Sequence, residues 1–232
     1  MRIAILLFGL LVSTSTFSQD LDVSLDYSVT YEVPNSSKNS IDTLSLSYDR
    51  KGKYIYTDSQ FIGESLAIEI FNTLANRTID ANILFQIEDN KALIDVRVDD
   101  NEIYLNMDMA AIIPQAVIDS DNTTELTQLI SEKSPKTTTI LGKEYTTYFL
   151  YPEGEPFNAM TLVVDEALPV NNNSIMKGFL TLLFNRPDTN IEVEFPNGLI
   201  LMLADSSMTH LKAINVEATP SKFILTHKIQ RS

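Results

Sequence analysis

The chain contains no cysteine. Disulfide bracing, thiolate zinc sites and thiol nucleophiles are therefore excluded. So is a bacterial lipid anchor, which needs a Cys directly after an export leader. Tryptophan is also absent, which removes the usual aromatic platform of a sugar-binding cleft. Glycosidase chemistry, with two carboxyls set across such a cleft, is disfavoured accordingly. Glycine is scarce, at seven in 232 residues, and no Gly-rich phosphate loop or Gly-x-Ser-x-Gly elbow occurs. The two histidines, His210 and His227, cannot form a His-x-x-x-His pair. Positive charge is short as well: 17 Lys and Arg face 31 Asp and Glu, a formal net charge of −14. That balance is repelled by phosphate backbones and by anionic membrane surfaces, so no nucleic-acid partner is expected.

What is present begins at the first residues. Met1-Arg2 supplies a positive start, Ile3 to Val12 is apolar apart from Gly9, and Ser13 to Gln19 is small and polar apart from Phe17. This is the layout of a secretory signal peptide. Thr16 and Ser18 stand at −3 and −1 of a cut before Gln19. Residues 1–18 are read as the leader and 19–232 as one domain, exported to the periplasm or beyond in a Gram-negative bacterium. The leader's apolar run is too short for a bilayer, which needs roughly 20 residues, and no later run reaches that length. A hydrophobic fraction of 44% supplies enough apolar material for a core without disulfides.

Downstream, Val23, Leu25, Tyr27, Val29, Tyr31 and Val33 alternate with polar residues, the period of a half-buried strand. Leu44, Leu46 and Tyr48 continue the alternation. Asp49-Arg50-Lys51-Gly52 then predicts a hairpin into Tyr54–Thr57. Residues 83–87, 93–98 and 103–107 read as an antiparallel meander. Helical spacing appears over 62–74, over 175–184 before Pro187, behind Pro114, and at Leu126–Ile130 after an Asn122/Glu125 capping box. Residues 133–138, polar and containing Pro135, predict a loop. Thr139–Tyr151 reads as one strand bent at Gly142, and Pro196-Asn197-Gly198 as a hairpin turn after Ile191, Val193 and Phe195. Phe223, Leu225, His227 and Ile229 alternate in a last strand. Strands in groups with helices between them predict an α+β fold. A wide, twisted antiparallel sheet tends to curl. The expected architecture is an open half-barrel with helices on its concave face.

No motif announces a reaction. Ser206 and Ser207 lie near His210, but nothing in the sequence supplies the turn and oxyanion hole that a Ser-His-Asp triad requires. Asp119-Ser120-Asp121-Asn122 lacks the Gly and Glu of an EF-hand loop and reads as helix-capping polarity. His227, on the apolar side of its alternation, reads as a half-buried imidazole. Met176, Phe179 and Leu183 are the candidate ligand-binding residues. Their helical spacing fits a cavity wall, with Met adding adaptability, although such a stripe is more often plain core. No cofactor and no metal site is expected.

The segment Thr139-Ile140-Leu141-Gly142-Lys143-Glu144-Tyr145-Thr146-Thr147-Tyr148 resembles the "ILGY-x-C-x-x-Y" stretch of small secreted Bacteroidetes proteins of unknown function. Thr161 to Pro169 is similar to their "xWVTxxLP" strand, and the Phe17-Ser18-Gln19 leader end suits the group. Tyr145 stands near where that family often has Cys, and Val163 where it often has Trp. The family itself is similar to periplasmic lipoprotein carriers, open half-barrels that hold acyl chains. The resemblance implies a carrier-like fold and defines no catalytic residue. The expectation is a non-enzymatic exported binding protein for an apolar or lipid-like ligand. The alternative is a cell-envelope interaction or structural module without a small ligand. The protein partner is left unspecified.

Overall fold

The computed structural model describes residues 21–35, 40–60, 79–89, 91–98, 101–108, 125–173, 189–225 and 229–231. Among them are β1 (Leu21–Leu25), β2 (Tyr27–Asn35), β3 (Ser40–Tyr48), β4 (Tyr54–Thr57), β5 (Ile79–Gln86), β6 (Lys91–Val98), β7 (Asn101–Asp108), β8 (Glu125–Ile140), β9 (Lys143–Pro152), β10 (Met160–Asp165), β11 (Thr189–Val193), β12 (Leu199–Ala204), β13 (Thr209–Glu217), β14 (Ser221–Leu225) and β15 (Ile229–Arg231). The one complete helical element among the described residues is a single 3-10 turn, Pro156–Asn158; Gln60 and residues 172–173 are helical too.

Twelve strands form one open sheet in the order β11-β8-β9-β10-β12-β13-β2-β3-β4-β5-β6-β7. Eleven are joined antiparallel, and β11 lies parallel to β8 at one edge. The β3–β4 hairpin and the meander β5-β6-β7 are present as the alternation predicts. A three-stranded sheet, β1-β14-β15, completes the fold.

The opening alternation runs through both sheets. β2 and β13 are neighbours in the large sheet, and the chain segments joined to them, β1 and β14, pair again in the small one. The break is at Asp26. Its N–H donates to the Tyr48 carbonyl at 2.7 Å, and its Oδ2 accepts the Arg50 N–H at 2.6 Å. Before the break, Val23 and Leu25 join Phe223 and Leu84 in a second core, with Tyr54, Tyr56 and Leu93 against it. The Tyr56 and Phe223 rings lie 4.4 Å apart. After the break, Tyr27, Val29, Tyr31 and Val33 enter the main core. Period-2 alternation thus survives the corner, and β5 is buried on both faces. Ile83 belongs to the main core and Leu84, fully buried, to the second.

Several sequence expectations are corrected. The α+β class with helices on the concave face is overturned, because the described residues form a nearly all-β structure. Leu126–Ile130 is not helical: it lies in β8, where residues 125–129 pair with β11 and 129–133 with β9. Ladder pairing, with β11 up to Leu129 and with β9 from Leu129 on, wins over the local helical spacing. The loop predicted at 133–138 is the middle of the same strand. Pro135 is accommodated by a register shift between Lys133 and Thr137. A bulge is where a strand tolerates proline. Thr139–Tyr151 is not one bent strand but the β8–β9 hairpin, turned at Leu141-Gly142, both with positive φ (50° and 77°). Pro196-Asn197-Gly198 does not make a hairpin either, since β11 and β12 are separated by β8, β9 and β10. The predicted helices at 62–74 and 175–184, and the one behind Pro114, lie outside the described residues.

One end of the large sheet is closed by interlocking loops. The β3–β4 turn is fixed by Asp49, whose carboxylate accepts the N–H groups of Tyr54 (2.7 Å) and Lys51 (3.1 Å). The segment after β10 lies across it, so close that a Cβ on Gly52 would stand 2.5 Å from the Pro169 carbonyl oxygen. Buried Asn172 donates from Nδ2 to the Pro196 and Gly198 carbonyls at 2.8 and 2.7 Å. Gly198, with φ of 128°, donates to the Val170 carbonyl at 3.0 Å. A side chain there would meet Val164 at 2.6 Å. This is why the Pro-Asn-Gly signal serves a close backbone approach rather than a two-residue hairpin.

Candidate functional site

The candidate ligand residues Met176, Phe179 and Leu183 lie outside the described residues, as do His227 and the acidic stretch at 119–122. The site is therefore built from what the sheet itself presents.

Each of the eleven antiparallel strands contributes to one apolar cluster. Val29, Ile83, Ile94, Val96, Leu162 and Leu203 are all at most 1% exposed. The cluster runs without interruption from Leu105 and Met107 near one edge to Leu129 near the other. β10 and β12 are buried on successive residues, Leu162 to Val164 and Leu199 to Leu201, so their second faces are covered too.

Within this face sits a group that the sequence signalled only as alternation. Tyr27, Tyr31 and Tyr48 are buried at positions where aliphatic residues serve elsewhere in the same strands. Tyr27 and Tyr48 are directly paired across β2 and β3, and their rings stack 5.3 Å apart at 12°. The Tyr31 hydroxyl donates to the Ile200 carbonyl at 2.8 Å and lies 3.5 Å from the Tyr48 hydroxyl. The Tyr27 hydroxyl is buried and has no partner among the described residues. Burial pushes all three phenols up, Tyr48 to about 12, so they are neutral donors at ordinary pH. Asp49, Asp165 and Asp26 add to the upward push on Tyr27.

The serines near His210 are not arranged for nucleophilic attack. In the β12–β13 turn, Asp205 stands between them. Its Oδ1 accepts the Ser207 hydroxyl and N–H, both at 2.6 Å, and the Met208 N–H at 2.8 Å, while Oδ2 lies 2.7 Å from His210 Nε2. The serine proton is thus held by a carboxylate, not by the imidazole a triad requires. The Ser207 hydroxyl, then the backbone donors and His210, hold the Asp205 carboxyl far below the usual carboxylate range. A strongly anionic, saturated carboxylate locks a turn and makes a poor general base. A second carboxylate, Glu166, accepts from Tyr148 at 2.5 Å, Lys133 at 3.0 Å and Thr146 at 3.2 Å. It is solvent-facing, with its pKa lowered chiefly by Tyr148, and ties β8, β9 and the end of β10 together.

A hollow of about 230 Å³ opens beside Asp58, Gln60, Asp80, Ala81 and Asn82. It is lined by two aspartates, a glutamine, an asparagine and an alanine, and it falls below the roughly 300–1,000 Å³ typical of small-molecule sites. Among the described residues no three His, Asp or Glu groups converge as metal ligands. No helix among them is long and apolar enough to cross a membrane.

No protein-family model matches the chain, and no curated protein does either. The geometry is therefore the basis for a functional reading.

Proposed function

We propose that this chain is an exported, non-enzymatic binding protein whose large sheet holds an apolar or amphipathic, lipid-like ligand. The observation that carries the reading is the single buried apolar cluster to which all eleven antiparallel strands of the open sheet contribute. A sheet of this width, twisted as sheets are, curls into a trough rather than staying flat. The Tyr27 hydroxyl, buried and without a partner among the described residues, places a neutral donor in that cluster, the kind of group that orients an amphipathic molecule in a mainly apolar site. The half-barrel carriers implied by the 139–169 resemblance belong to the same proposal. So does export behind a leader ending at Ser18.

A cell-envelope interaction module without a small ligand is the second reading. It is favoured by one observation, the small size of the hollow beside Asp58, Gln60, Asp80, Ala81 and Asn82. Titration of the purified chain with a fluorescent polyene fatty acid separates the two. The binding reading expects saturable enhancement that unlabelled phospholipid displaces. Fluorescence that rises linearly without saturation, as for non-specific adsorption, supports the module and overturns the carrier.

A further inference from the structure

Among the described residues one buried side-chain polar atom lacks a hydrogen-bond partner, the Tyr27 hydroxyl. Keeping such an orphan is costly, and phenylalanine would fill the same place without it. The neighbouring tyrosine shows the contrast: the Tyr31 hydroxyl donates to the Ile200 carbonyl at 2.8 Å. Tyr27 is only 7% exposed, so bulk water does not supply the missing acceptor. An acceptor from outside the chain would.

The setting of the hydroxyl restricts what that acceptor is. Asp26 directly precedes Tyr27 at the corner of the sheet. Asp49 follows Tyr48, whose ring stacks on Tyr27 at 5.3 Å, and Asp165 ends β10. Each carboxylate is anchored by backbone N–H groups: Asp26 by Arg50 at 2.6 Å, Asp49 by Tyr54 at 2.7 Å and Lys51 at 3.1 Å, Asp165 by Ala167 at 3.0 Å. Burial raises the Tyr27 phenol most, Tyr48 adds to it, and Asp49, Asp165 and Asp26 follow in that order, so all three carboxylates act on this hydroxyl. The Arg50 guanidinium, 3.9 Å from Asp26, lies out in solvent, 82% exposed.

Three kinds of polar head can be weighed against this setting. A carboxylate or phosphate would accept from the phenol, but it would meet like charge there, and a charge buried unpaired is expensive. An ammonium would suit the carboxylates, but it has no lone pair to offer the phenolic proton. An uncharged alcohol or ester oxygen accepts the bond and carries neither penalty. We propose that the ligand is an uncharged lipid whose alcohol or ester oxygen accepts from the Tyr27 hydroxyl, with its hydrocarbon along the apolar cluster. The inference rests on the ligand reading above and narrows it by head group.

Oleyl alcohol, oleate and oleylamine share one tail and differ in the head. Each is titrated against the full chain loaded with the fluorescent polyene fatty acid at about pH 8, where the acid is ionised and the amine protonated. The wild type should bind oleyl alcohol about tenfold or more tighter than the other two. Tyr27→Phe should weaken the alcohol by about fivefold to tenfold, the usual size of one net hydrogen bond, and leave oleate and oleylamine within about twofold. Tyr31→Phe, whose lost hydroxyl is already bonded within the chain, should keep the preference for the alcohol. Saturable probe binding that oleate or oleylamine displaces as well as the alcohol does overturns this inference and leaves the ligand reading standing. So does a preference that survives Tyr27→Phe, which would give the hydroxyl a buried water as its partner. A probe that never saturates removes the ligand reading and this inference with it.

Discussion

Tyr27 and Tyr31 lie four residues apart on one face of β2, yet removal of their hydroxyls should change stability in opposite directions. The Tyr27 hydroxyl is buried without a partner among the described residues, and its ring stacks on Tyr48. A buried unsatisfied hydroxyl costs about 1–3 kcal/mol, and Phe keeps the ring contact while removing that cost. Tyr27→Phe should therefore stabilise by about 1–2 kcal/mol. For a chain of this size that raises Tm by about 2–8 °C. Tyr31→Phe removes a 2.8 Å bond to the Ile200 carbonyl in a fully buried setting. It should destabilise by about 1–2 kcal/mol. Urea unfolding with m held constant, alongside calorimetry, reads both. Loss of stability in Tyr27→Phe as large as that in Tyr31→Phe would mean that the Tyr27 hydroxyl has a partner. The account of the buried face would then be wrong.

Leu84→Ala should cost about 2–5 kcal/mol, although its neighbour Ile83 supplies the main core, because Leu84 closes the second core under β1 and β14; chemical denaturation giving a loss near zero would remove the small sheet from the back of β5. Leu141→Asn should raise stability by about 1 kcal/mol, read by thermal melts, since Leu141 holds a φ of 50° that asparagine tolerates better. Stability should fall as pH rises above about 10: the three phenols are raised in the folded state, so the folded chain holds protons that the unfolded chain loses. This contribution is present below the unfolded value and is lost as pH climbs toward the folded values, at most about 1.4 kcal/mol per pH unit per tyrosine. Alkaline denaturation curves should flatten in Tyr48→Phe.

Where one face of a strand is buried, the sequence was readable. Val23 to Val33 alternates without a break, and every apolar member is buried, although the strand bends at Asp26 and serves two cores. The corner itself left no mark in the period, because both sheets use the same inward set. β8 was unreadable for the opposite reason. Leu126, Leu129 and Ile130 have helical spacing, and residues 131–139 are polar with a proline. Its strand character comes from pairing with β9 and β11, partners distant in sequence or known only after folding. Pro196-Asn197-Gly198 misled because its glycine answers a steric demand from Val164 and Asp165, which no local pattern records. The tyrosine group was visible as three inward positions, but its hydrogen bonding depends on Ile200, a residue of a distant strand. Asp205 was missed as the centre of its turn; the Asp-Ser-Ser run ahead of His210 was the available signal.

The central claim is that the apolar face of the large sheet holds a lipid-like molecule. Native mass spectrometry of the full chain, exported and purified without detergent, tests it most directly. The account expects a mature protein starting at Gln19 or Asp20 that carries a bound mass in the lipid range, released by collisional activation and identifiable after organic extraction. Protein of bare polypeptide mass that takes up no lipid on incubation with phospholipid vesicles would contradict it.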